Sequence, residues 1–180
     1  MTTAKWLWLL VAALALVVLQ IAIADELSVM GVHAELIWVL PVAAGLAAGP
    51  MAGMSAGLMG GVVADLFQPT PFGLTALVAV VIGYALGRLG EEGVGDLGGA
   101  AWWVAPALAA AAGLVAPLAY ALCAAALGHT GYLTAVPVGM VCVLDALACA
   151  LLVRPTMRLI GPRLAGDARA GALEPVRGMV

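Results

Sequence analysis

Long apolar runs alternate with short polar breaks along the whole chain. A helix needs roughly 20 apolar residues to cross ~30 Å of hydrocarbon. Five runs are long enough for this: Trp6–Ala24, Leu36–Phe67, Phe72–Leu89, Ala101–Leu127 and Leu133–Val153. The pattern therefore predicts membrane-spanning helices.

The second run is too long for one span. As a single helix, Leu36–Phe67 would measure about 48 Å. Gly49-Pro50 lies in its middle, and proline suits the first turn of a new helix. We therefore predict two helices here and six spans in total, within a transmembrane domain of residues 1–153, at about 6–24, 36–48, 51–67, 72–89, 101–127 and 133–153.

The amino-acid composition is typical of a membrane protein. Of its 180 residues, 65% are hydrophobic and 9% are charged, and the mean hydropathy is +1.16. A soluble domain carries about 25% charged residues. The net charge of −3 and the 7 basic residues are too little for a nucleic-acid footprint. The expected fold class is an all-α polytopic membrane protein in a lipid bilayer, with no nucleic-acid partner.

Charge sets the expected orientation. The segment 154–180 is predicted to be a flexible, Arg-rich tail, and its excess of arginine over acidic residues places it in the cytoplasm. Lys5 places the N-terminus on the same side, which requires an even number of spans. The five tryptophans, Trp38 among them, all lie near predicted helix ends and are expected at the membrane interface. Ala22-Ile23-Ala24 resembles a signal-peptidase site, but the long apolar stretch before it favours a retained anchor.

No constellation of residues predicts catalysis or a cofactor. The three cysteines fall inside apolar runs without a C-x-x-C pair, and the two histidines stand alone. We expect no metal, no cofactor and no catalytic residue.

Small residues recur at a fixed spacing before the first polar break. Every fourth residue is glycine, and the series ends at Asp65: Gly45, Gly49, Gly53, Gly57 and Gly61. Gly83 and Gly87 offer a second small face on the next helix. Such stripes allow helix backbones to approach closely in lipid. The stripe predicts either packing within the protein or a docking face for another protein's helix, and internal packing is favoured.

Two aspartates interrupt the apolar runs. Asp65 lies near the outer end of the third span, and we expect it to accept hydrogen bonds from Thr70, Thr75 or the backbone at the start of the fourth. Asp145 lies midway along Leu133–Val153, where an ionised carboxylate costs ~2.5–3.5 kcal/mol. It should be protonated, or bonded to the hydroxyls of Tyr84, Thr75 or Tyr120. A structural role and a transport or proton site both stay open for it.

The stretch Gly57–Leu89, GLMGGVVADLFQPTPFGLTALVAVVIGYALGRL, resembles the core of the rod shape-determining protein MreD family. That pattern has a glycine-rich helix ending in Asp-Leu, a short turn with proline and glycine, and an apolar helix ending in Gly-Tyr. The matching positions are Gly61, Asp65, Leu66, Pro71, Gly73, Leu77, Gly83 and Tyr84, and Phe72 replaces the commoner leucine.

The resemblance implies a non-catalytic subunit of the bacterial cell-wall elongation complex, in the plasma membrane. Its direct partner would be an MreC-like single-span protein, and it would act with the MreB filament, a RodA-type glycosyltransferase and a penicillin-binding transpeptidase. The family is similar in architecture to the six-helix substrate-binding subunits of energy-coupling-factor transporters. A vitamin-type transporter subunit is therefore the alternative, although few outer-loop groups could hold a polar vitamin.

We predict both termini in the cytoplasm and the turn at Gln68 outside. Reporter fusions at Val180 should therefore report a cytoplasmic position, and fusions at Gln68 an external one, because the arginines of the tail resist translocation. A fusion that placed Val180 outside would contradict the six-span arrangement.

Overall fold

The computed structural model describes residues 3–23, 34–67, 71–93, 102–129 and 138–164, and these ranges contain helices and no β-strand. A 3-10 turn, Leu36–Trp38, leads directly into α2. The α-helices within the described ranges are α1 (Thr3–Ile23), α2 (Val39–Ala48), α3 (Pro50–Phe67), α4 (Leu74–Gly93), α5 (Val104–Ala126) and α6 (Val138–Leu164). The predicted all-helical class is confirmed.

Four of these helices, α3 to α6, are long and apolar enough to cross a bilayer. The apolar parts of the other two are shorter, at Trp6–Gln20 and Leu36–Ala48. By length and composition the chain is a multi-pass membrane protein.

The short helix α2 occupies the middle of the bundle. Every residue from Leu36 to Leu46 is buried, and the helix packs against α3, α4 and α6. Trp38 is fully buried within the bundle. Its indole Nε1–H donates to the Glu35 carboxylate at 3.1 Å, which satisfies the polar atom of the ring.

The predicted break at Gly49-Pro50 is confirmed. Gly49 has φ 84°, a left-handed conformation that glycine adopts without strain, and its N–H donates to the Gly45 carbonyl at 2.9 Å. Pro50 is then the first residue of α3. The chain reverses within this one step, so α2 and α3 lie side by side.

The glycine stripe packs inside the protein, against α4. A Cβ atom added at Gly53, Gly57 or Gly61 would come under 3.0 Å from the backbone of α4. Gly45 faces the same helix from α2, where a Cβ would lie 2.6 Å from the Gly83 carbonyl oxygen. On α4, Gly83 and Gly87 are as closely covered. We call this contact the glycine seam: Gly45, Gly53, Gly57, Gly61, Gly83 and Gly87.

A second close pair is formed by α5 and α6. A Cβ at Gly113 would lie 2.5 Å from the Asp145 carbonyl oxygen and 2.7 Å from the Ala146 nitrogen. At the opposite end of the pair, the Arg154 guanidinium donates to the Trp102 carbonyl. The two helices are therefore antiparallel neighbours that contact each other along much of their length.

The largest difference from the predicted boundaries is at the end of α6. The prediction ended this helix at Val153 and began a flexible tail at Arg154, but the helix continues to Leu164, through Pro155 and Pro162. The reason is a second apolar stripe. Val153, Ile160 and Leu164 are buried, and a Cβ atom added at Gly161 would lie 3.4 Å from the Ala47 side chain of α2.

Smaller differences occur at two helix starts. Phe72 and Gly73 form a turn, so α4 begins at Leu74, and it continues to Gly93. Trp102 and Trp103 form the turn before α5. Residues 68–70, 133–137 and 165–180, which carry parts of the predicted turn, sixth span and tail, lie outside the described ranges.

Gly53→Ala should destabilise the protein by about 1–3 kcal/mol, because its Cβ would overlap the Gly83 backbone in a contact with no flexible side chain to move. Thermal unfolding in detergent measures the loss. Gly139→Ala is the matched control, since nothing lies within 4 Å of its Cβ position. Alanine is the better helix former, so the control should keep or raise the unfolding temperature. Equal effects of the two substitutions would contradict the seam.

Candidate functional site: two buried aspartates

Asp65 joins the end of α3 to the start of α4. It is buried, and both of its carboxylate oxygens accept backbone hydrogen bonds. The donors are Gly73 N–H to Oδ2 at 2.8 Å, Thr75 N–H to Oδ1 at 3.3 Å and Ala76 N–H to Oδ2 at 3.3 Å. The first N–H groups of a helix have no partner within it, and the helix dipole favours an anion there. Asp65 therefore caps α4 from the preceding helix.

The turn before α4 brings these donors into place. Gly73 has φ 92°, which suits glycine, and the Leu74 N–H donates to the Pro71 carbonyl at 3.2 Å. The expected backbone contact of Asp65 is thus present. Thr75 takes part through its N–H, and its buried hydroxyl has no hydrogen-bond partner among the described residues. Thr70, the other expected donor, lies outside those residues.

Asp145 lies nearer to one end of its helix than predicted. Because α6 runs from Val138 to Leu164, Asp145 is about 10 Å from the helix start and well short of its midpoint. The side chain is completely buried. Its Oδ1 accepts the Glu35 N–H at 2.6 Å, and its Oδ2 has no partner within the described part of the chain. The backbone of Glu35 thus replaces the hydroxyl donors that were expected.

This contact holds the beginning of the central helix. Glu35 directly precedes the 3-10 turn that leads into α2, and its N–H points to α6. Neither the 3-10 turn nor α2 has a side-chain cap from its own sequence neighbour. Asp145 instead accepts from the N–H of the residue before the turn, and it lies 110 positions further along the chain.

The two aspartates differ in electrostatic environment. Asp65 has three N–H donors on two oxygens, whereas Asp145 has one donor on one oxygen. The described cation nearest along α6, Arg154, is about 13 Å away along the helix and binds the Trp102 carbonyl. An ionised carboxylate inside a membrane protein is costly unless hydrogen-bond donors or cations compensate it. Asp145 has one donor on one oxygen, so its ionised form is poorly compensated, whereas Asp65 has donors on both oxygens.

The described ranges contain no group of three His, Cys, Asp or Glu side chains that could bind a metal ion. Cys123, Cys142 and Cys149 are free thiols there. Both aspartates bind backbone N–H groups, Asp65 at the start of α4 and Asp145 at the residue before the 3-10 turn.

The residues of the family-like pattern divide into two sets. Gly61, Asp65 and Gly83 face the inside of the α3–α4 hairpin, and Pro71 and Gly73 form its turn. The other three are exposed on the hairpin's outer surface: Leu66 at 67%, Leu77 at 58% and Tyr84 at 47%.

Two groups that form these contacts were not predicted from the sequence. The Glu35 N–H was missed because backbone donors leave no residue signature, although Glu35 directly precedes an apolar run. Gly113 was missed although it is a single glycine directly after four alanines, Ala109 to Ala112, a place where a close helix contact could have been sought.

No protein-family model, no curated protein and no solved structure matches this chain.

Asp65→Leu should leave the amount of protein in the membrane unchanged and lower its free energy of unfolding by about 1–3 kcal/mol. Leucine inserts readily, but it leaves buried N–H groups of α4 without an acceptor. Membrane abundance and thermal unfolding are the two measurements.

Glu91→Leu provides the control for Asp65→Leu. It also removes a carboxylate, but that carboxylate is exposed. Its ion pair with Arg88, at 3.9 Å on the protein surface, contributes little to stability. If both variants unfolded at the wild-type temperature, the capping role of Asp65 would be wrong.

Proposed function

We propose that this chain is a non-catalytic integral membrane subunit of the bacterial cell-wall elongation complex, of the kind its resemblance to the MreD family implies. In this proposal it has six spans, both termini in the cytoplasm and the bundle architecture of energy-coupling-factor substrate-binding subunits. It binds an MreC-like single-span protein, and through it works with the MreB filament, a RodA-type glycosyltransferase and a penicillin-binding transpeptidase.

The observation that supports the proposal most is the division of the family-like pattern on the α3–α4 hairpin. The inner set builds the hairpin, because its glycines allow close contact and Asp65 caps α4. The outer set, Leu66, Leu77 and Tyr84, makes no comparable contribution to packing within the chain. A subunit that works by binding needs such residues on its surface.

The outer set belongs to two exposed apolar stripes, one on α3 and one on α4, which together we call the outer face of the hairpin. On α3, Met51, Leu58 and Leu66 follow a helical spacing, and on α4 Leu77, Val81 and Tyr84 do the same. All six are exposed. Helices associate in lipid by shape and packing, so the apolar helix of a single-span protein is a suitable partner for this face.

The test is co-purification with an MreC-like protein expressed in the same cells. Leu77→Trp should reduce the co-purified amount about tenfold, equivalent to about 1.4 kcal/mol, because added bulk separates packed helices. Leu122→Trp on α5 is the matched control, since Leu77 and Leu122 are both 58% exposed. The control should bind as the wild type does.

Three results would count against the proposal. Failure of the wild type to retain the MreC-like protein would remove its main partner. Equal binding by the two tryptophan variants would show that the partner does not bind at Leu77 on the α3–α4 hairpin. A small organic molecule retained through purification would favour the transporter alternative.

A further inference from the structure

We propose that Asp145 is a proton-binding site: at neutral pH it is a protonated carboxylic acid, with the proton on Oδ2. The proposal concerns the chemical state of a buried group and is independent of the family resemblance.

The first observation is the unequal use of the two Asp145 oxygens. Oδ1 accepts the Glu35 N–H at 2.6 Å, whereas Oδ2 is buried without a partner in the described structure. A desolvated carboxylate oxygen without a donor is unfavourable. A proton on Oδ2 removes the charge and leaves Oδ1 free to keep its hydrogen bond.

The second observation is the set of groups around Asp145. From the start of α2 it faces Glu35, which is itself acidic. The ionisable neighbours on its own helix are Cys142 and Cys149, one turn away on either side. Its contact on α5 is Gly113, and Tyr120 is a buried ionisable side chain on that helix. None of these residues carries a positive charge.

Asp65 is the contrasting case within the same chain. Its three N–H donors engage both oxygens at the start of α4, where an anion is favoured. The two buried aspartates thus differ in hydrogen bonding, because Asp65 has donors on both oxygens and Asp145 has a donor on only one.

Infrared spectroscopy tests the assignment directly. Membranes containing the wild-type protein at pH 7 should show carboxylic-acid C=O absorption that disappears in Asp145→Asn, equivalent to one acid per chain. The same absorption should persist in Asp65→Asn, which serves as the matched control. Identical spectra for the wild type and Asp145→Asn would overturn the proposal. An acid band that survives in Asp145→Asn and disappears in Glu35→Gln would overturn it as well, by placing the proton on Glu35.

Stability provides a second measurement on the same variants. Asparagine keeps one acceptor oxygen, which is all that the Glu35 N–H requires, so Asp145→Asn should shift the unfolding temperature by less than about 2 °C. Asp65→Asn places an NH2 group against N–H donors and should lower that temperature by about 4 °C or more. A larger loss in Asp145→Asn than in Asp65→Asn would show that Asp145 needs its charge, which contradicts the proposal.

Discussion

The glycine seam is the contact on which the rest of the structure depends. Lipid does not drive helices together as water does, so their association relies on close packing. The Gly83 carbonyl meets Gly53 from α3 and Gly45 from α2, which brings three helix backbones to one place. Because α2 and α3 are joined only by the left-handed Gly49, they can both reach this place. The central position of α2 follows from that meeting.

Close contact sets the distance between helices, and the two aspartates fix where they begin. Asp65 binds the first N–H groups of α4, and Asp145 binds the N–H that leads into α2. Inside a membrane, backbone groups at helix ends need partners from the protein itself. Asp65 supplies such a partner to α4 from another helix, and Asp145 holds the residue before the 3-10 turn, so each contact also connects two elements. The polar residues are therefore part of the packing and do not merely interrupt it.

The sequence predicted those features that depend on neighbouring residues. The Gly49-Pro50 break and the backbone contact of Asp65 depend on local chemistry, and both are present. The predicted end of α6 was wrong because the arginines and prolines indicated a boundary, whereas the helix continues into a contact with α2, where Gly161 faces Ala47. The burial of Trp38 depends in a similar way on the bundle around α2. The position of Asp145 along its helix differs from the prediction because the bounds of α6 differ.

The division of the family-like pattern decides which residues carry information about partners. Gly61, Asp65 and Gly83 are explained by the folding of the hairpin itself, so any membrane protein with this hairpin would need similar residues whatever it bound. Leu66, Leu77 and Tyr84 have no such explanation, because they are exposed and a different apolar residue would leave the seam intact. The proposed membership of a cell-wall complex therefore depends mainly on the outer set. The inner set indicates how that face is held in shape.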